Sequence, residues 1–163
     1  MVAGNKPRAA ALEVARASDV PHVRAFTLAE YGDLRSRDAA MAQALQQAGV
    51  ELVVTAGYDR VLDEVFVAVF KGRILNIHPS LLPAFAGGMN AIADALEAGV
   101  QTTGVTVHLI EPNTLDGGRV IAQEAVEVRP DDTLQSLSRR VHDVEHRLLP
   151  ATIKAFIEAS LVR

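Results

Sequence analysis

Apolar residues follow two rhythms along this chain. Short runs rich in β-branched and aliphatic side chains read as strands: HVRAFTL (22–28), ELVVTAG (51–57), RILNI (73–77), GVTVHLIE (104–111) and RVIAQEAVEV (119–128). Helix-favouring stretches separate them. PRAAALEVARAS (7–18) is Ala-rich with Pro7 suited to a first turn, and Ser36 opens RDAAMAQALQQAG, which Gly49 closes. LDEVFVAVF (62–70) and MNAIADALEAG (89–99) supply two more helices. A long terminal helix starts near Asp131 or Asp132, and Pro150, which has no N–H to donate, should kink or restart it. Helices alternating with apolar strands predict an α/β fold with a mostly parallel sheet, antiparallel after residue 104. Residues 1–163 show no repeat, linker or low-complexity segment and read as a single domain.

One strand ends in an unusual way. In RILNIHPSLLPAFAGG (73–88), Asn76 and His78 alternate with Leu75 and Ile77, so the two polar side chains point to one side. Pro79 cannot continue a central strand. The polar pair therefore sits at a strand's carboxyl end, where open α/β sheets place their ligands. Asp116 lies in TLDGG, whose two glycines permit a tight turn and a close approach to a ligand. If that turn reaches the tip of strand 73–77, an amide donor, an imidazole and a carboxylate converge. The carboxylate would favour the imidazolium, and the amide could donate to a developing oxyanion, a set suited to acyl-type transfer. The alternative is structural: Asn76 and His78 finish a strand, and Asp116 makes a turn.

Composition narrows the functional classes. With 163 residues, 49% hydrophobic and 22% charged, the chain can bury a core. A net charge of −4 and the lack of a Lys/Arg cluster argue against nucleic acid as a partner. The absence of cysteine excludes disulfides, thiolate catalysis and cysteine-ligated metal, and is compatible with a reducing cytoplasm. No apolar run approaches the roughly 20 residues that cross a bilayer. The opening MVAGNKPRAA lacks the apolar core of a signal peptide.

ILNIHPSLLPAFAGG closely resembles the signature of the folate-dependent formyltransferases, and GVTVHLI, LDGG and VIAQEAVEV extend the resemblance from about residue 2 to about residue 160. The branch it looks most like acts on glycinamide ribonucleotide. This resemblance implies a Rossmann-like fold and formyl transfer from 10-formyltetrahydrofolate, as co-substrate, to the amine of glycinamide ribonucleotide in purine biosynthesis. It implies catalytic roles for Asn76, His78 and Asp116. Arg37, Asp59, Arg60, Val61 and Leu62, with Asn76, fall at folate-contact positions, and Glu145 falls beside the glycinamide amine. His108 matches a family His beside the site; on physical grounds it reads as a strand residue with a satisfied ring. The implied partners are these small molecules, with no metal, nucleic acid or membrane, in the cytoplasm; a homodimer stays open.

The resemblance also has departures. Family members begin with a strand, a phosphate-binding loop and a helix that this sequence does not show, so the domain is expected to be incomplete at its N-terminus. Ala86 stands where Pro is frequent, and IEPNTLDGG is one residue longer than in many relatives, which leaves Asp116 the least secure of the three. The alternatives are a folate-binding fragment or pseudoenzyme without turnover, and a formyltetrahydrofolate deformylase-like hydrolase that uses water. HDVEH (142–146) has the spacing of a zinc-peptidase helix, but too little chain follows for a third ligand. Ser80 lacks the G-x-S-x-G elbow of a serine hydrolase.

Overall fold

The computed structural model describes residues 1–112, 114 and 116–161; Asn113 and Leu115 of the expected PNTLDGG turn, with Val162 and Arg163, lie outside the described residues. The chain forms two compact units, Met1–Val53 with Tyr58–Ile74, and Val54–Gly57 with Leu75–Arg163.

In the first unit, β1 (Val2–Gly4) and β2 (Val23–Ala25) pair in parallel, with Val2 opposite Val23. Helix α1 (Ala10–Ala17) buries Leu12 and Ala15 and packs on this pair. It begins after Ala9, so Pro7 precedes the first turn instead of occupying it. The strand composition of 22–28 gives way at Thr27, whose hydroxyl accepts from the Glu30 N–H and caps the single turn α2 (Leu28–Tyr31). In α3 (Leu34–Gln47) the cap is Asp33, which accepts from the backbone and hydroxyl of Ser36 at 2.8 and 2.9 Å. Ser36 thus lies in the first turn rather than opening it. Gly49, at φ 70°, follows the end of α3. Helix α4 (Glu64–Val69), capped by Asp63, packs against α3. Leu12, Phe26, Met41, Leu45, Phe66, Phe70 and Ile74 are among the large buried apolar side chains of this unit.

A four-stranded sheet in the order β3 (Val53–Thr55), β4 (Ile74–His78), β5 (Thr102–Leu109), β6 (Val120–Glu127) organises the second unit. Strands β4 and β5 are antiparallel, and so are β5 and β6, as the patterning predicts for the region after residue 104. Asn76 faces His108 across the β4–β5 ladder, and His78 faces Thr106. Helix α5 (Ala91–Glu97) packs with α6 (Leu134–Leu161), which also covers β5 and β6 and buries Leu137, Val141 and Val144. Thr133 caps α6 by accepting from Ser136 N–H. The expected restart at Pro150 does not occur: the helix continues through it. Pro150 is exposed, so water can satisfy the carbonyl its missing N–H leaves free.

Candidate active site

The strand end predicted to be polar is held on three sides. Beyond β4 the chain folds back in a loop, residues 79–88, which Thr106 anchors. Its hydroxyl donates to Ser80 O at 2.7 Å and accepts from Leu82 N–H at 3.0 Å and from the Gln123 amide at 2.8 Å. At position 104 only glycine fits beneath this loop, because a Cβ would lie 2.3 Å from Glu124 O and 2.6 Å from a Leu81 methyl. The loop turns at Phe85 (φ 57°) and returns its backbone to the site: Phe85 O lies 3.2 Å from His78 Nε2.

The turn after β5 brings Asp116 to the same place. Asp116 takes a left-handed conformation (φ 50°), which Asp tolerates. Gly118, at φ 104°, is required, since a Cβ there would meet Leu109 O at 2.2 Å. The Asp116 Oδ2 atom accepts from Gly87 N–H at 2.7 Å and lies 3.5 Å from His78 Nδ1. His78 is buried, so its ring meets an acceptor at each nitrogen, a carbonyl at Nε2 and a carboxylate at Nδ1. A ring placed this way satisfies both neighbours as the imidazolium.

Asn76 belongs to a second chain of hydrogen bonds. Its Nδ2 lies 3.0 Å from His108 Nε2, and Thr55 Oγ1 donates to its Oδ1 at 2.6 Å. His108 is buried, and its Nδ1 faces the carbonyls of Leu109 and Gly117 at 3.1 and 3.2 Å. Carbonyls only accept, so Nδ1 bears a hydrogen; an amide nitrogen only donates, so Nε2 is the acceptor for the Asn76 amide. The ring of His108 is satisfied, as its place on a strand suggested, yet it touches a site residue. It also comes within 3.9 Å of Asp116 Oδ1.

Glu145 lies on α6, part-buried. Burial pushes its carboxyl above the usual range, and the positive charges of His142, His146 and His78 pull it back. His142 Nε2 is 3.9 Å from Glu145 Oε2. Among the described residues no group of three or more His, Cys, Asp and Glu is placed to hold a metal ion.

Apart from Asn76, the residues expected at the folate belong to the first unit. Asp59 accepts from the Asn5 amide at 2.8 Å and from Lys6 at 2.7 Å, and these partners hold its carboxyl at about 2. Arg60 and Val61 are exposed, and Leu62 is half-buried. Arg37 is buried: its Nε donates to Asp38 Oδ1 at 2.7 Å, and its Nη2 comes within 2.6 Å of that oxygen without a hydrogen bond of its own. The other oxygen of Asp38 accepts from Asp63 N–H at 2.6 Å. Arg37 and Asp38 therefore pin the far end of the segment that carries Asp59 to Leu62.

Sequence reasoning missed Phe85 O, Gly87 N–H and Thr55. The backbone groups leave no trace in residue identity. Thr55 leaves a weak one, as the only hydroxyl in ELVVTAG.

The chain is an α/β protein of Rossmann-like fold, with an amide, a buried imidazole and a carboxylate gathered where a sheet strand ends. Residues 1–153 match the formyl transferase family, and the chain belongs to it. Phosphoribosylglycinamide formyltransferase of Bacillus subtilis is 38% identical over 153 residues, 94% of this chain and 77% of that protein. The trifunctional purine biosynthetic protein adenosine-3 of Gallus gallus is 42% identical over 154 residues, 94% of this chain but only 15% of that much longer protein. Among solved structures, phosphoribosylglycinamide formyltransferase from Streptococcus pneumoniae superposes with a TM-score of 0.91 at 36% identity, over 96% of this chain and 86% of that one.

Proposed function

We propose that this chain transfers a formyl group from 10-formyltetrahydrofolate to the amine of glycinamide ribonucleotide, a step of purine biosynthesis. The observation that carries the reading is the approach of His78 Nδ1 to Asp116 Oδ2, 3.5 Å, beside the Asn76 amide. Relatives bearing that activity in their names support it.

In this reading the substrate amine attacks the formyl carbon, a C–N bond forms, and the carbonyl oxygen becomes an oxyanion. Asn76 donates the amide hydrogen that His108 does not take, and the imidazolium of His78 supplies opposite charge. Collapse of the tetrahedral intermediate breaks the bond from the formyl carbon to N10 of the folate. The proton lost by the amine passes to N10, with His78 and Asp116 as the relay. Glu145 stands by the incoming amine, its carboxyl pKa raised by burial. Amide and imidazolium together supply the charge stabilisation, so the scheme needs no metal. Arg60, Val61 and Leu62 contact the folate directly. Asp59 contacts it from its hold on Asn5 and Lys6, while Arg37 acts by fixing the segment's end through Asp38. The substrates are small molecules, and the cytoplasm is the compartment.

The test is to supply both substrates and follow formylated product and free tetrahydrofolate. Product that depends on both substrates is expected. Loss of the formyl group to water without glycinamide ribonucleotide would show a hydrolase instead, and no reaction at all would overturn the reading.

A further inference from the structure

An amide can stabilise an oxyanion only if its NH₂ side, not its oxygen, faces the reacting centre. An Asn side chain presents both ends at nearly equal cost unless its neighbours distinguish them. Asn76 is distinguished at each end. On the nitrogen side, His108 Nε2 lies 3.0 Å from Asn76 Nδ2, which can only donate, while Nδ1 carries the ring's hydrogen toward two carbonyls. On the oxygen side stands Thr55 Oγ1, at 2.6 Å.

We infer that Thr55 is a positioning residue, whose hydroxyl holds the Asn76 amide with its nitrogen toward the reacting centre. The inference rests on the formyl-transfer reading for its meaning in turnover, but the clamp itself is a matter of hydrogen bonding. Thr55 Oγ1 carries one hydrogen and has two acceptors in reach, Asn76 Oδ1 at 2.6 Å and Leu75 O at 3.4 Å. The shorter contact takes the hydrogen. Being β-branched, Thr55 also holds few χ1 rotamers on a strand, so the donor stays aimed. Thr55 and Asn76 lie on neighbouring strands β3 and β4, so the sheet fixes their spacing. With Thr55 the relay is complete: carbonyls of Leu109 and Gly117, then His108, then Asn76, then Thr55. Each link assigns the next one's donor and acceptor, and one amide hydrogen of Asn76 is left without a partner among the described residues.

Two substitutions and two readouts test it. Thr55→Val keeps the shape and removes the donor; Thr55→Ser keeps the donor. With 10-formyltetrahydrofolate and glycinamide ribonucleotide, Thr55→Val should lower kcat about 5- to 10-fold, the worth of one partly buried hydrogen bond. Both KM values should stay within about twofold, and Thr55→Ser should keep kcat within about twofold of the parent. The second readout is the Asn76 side-chain amide in NMR spectra of the free protein. The parent and Thr55→Ser should show two resolved Nδ2 proton signals with slowed solvent exchange, and Thr55→Val should show faster exchange. Unchanged amide signals in Thr55→Val overturn the clamp. Altered signals with unchanged kcat, or a Thr55→Ser loss as deep as that of Thr55→Val, overturn its part in turnover. A parent chain without turnover would sink the formyl-transfer reading instead, and the amide spectra would still decide the clamp.

Discussion

Asp116 is the residue on which the site's electrostatics turn, because one carboxylate oxygen both accepts a backbone N–H from Gly87 and faces the His78 ring. Asp116→Asn keeps an acceptor for Gly87 and removes the charge beside the imidazole. The expected outcome is a fall in kcat of about 10² with the fold intact, the scale of a lost acid–base partner; steady-state kinetics and a thermal melt check it. At this scale the sequence was partly readable. Period-2 alternation put Asn76 and His78 on one side of a strand, and the two glycines after Asp116 marked a turn able to approach closely. The partners that orient these groups were not readable. His108 and Thr55 come from flanking strands, and a cross-strand neighbour depends on register, which no local pattern encodes. Phe85 contributes a backbone carbonyl, which every residue has.

Elements act here mainly by presenting loops. Strand β5 holds loop 79–88 through Thr106, and α3 holds the segment carrying Asp59 to Leu62 through Arg37 and Asp38. Both members of the Arg37–Asp38 pair are buried. Asp38→Ala would leave the guanidinium buried without its counterion and Asp63 N–H without its acceptor. A loss of about 3–5 kcal/mol is expected from chemical denaturation, the cost of breaking a buried pair from one side. The elements themselves were legible wherever the apolar rhythm was long. Every predicted strand from β2 to β6 is present: β2, β3 and β6 are shorter at their ends, and β4 and β5 keep their lengths but shift by one and two residues. Two misses come from local side-chain capping: Thr27 and Asp33 set helix starts where composition alone suggested a strand and a later opening. At Pro150 the packing of α6 on β5 and β6 outweighed the local breaker.

Across the whole chain, two carboxylates are held ionised by their hydrogen-bonded partners. Asp59, held at about 2 by Lys6 and Asn5, and Asp132, held well below its usual range by Arg140, Ser136 and the Arg129 N–H, bind protons less readily folded than unfolded. The stability they contribute is full above the ordinary Asp value of 3.8 and is lost as pH falls toward their lower folded values. Acid denaturation of Asp59→Asn should therefore be less steep below about pH 4 than that of the parent, by circular dichroism. Family membership follows from the match over residues 1–153 and was legible in the signature ILNIHPSLLPAFAGG. The central claim is that the imidazole of His78 takes part in chemistry rather than in folate binding. The most direct measurement is kcat for formyl transfer by His78→Asn, with the folate dissociation constant determined on the same sample. The account predicts a kcat lower by at least about 10² with folate affinity unchanged within a few fold. An unchanged kcat, or a loss of activity that merely tracks a loss of folate affinity, would contradict it.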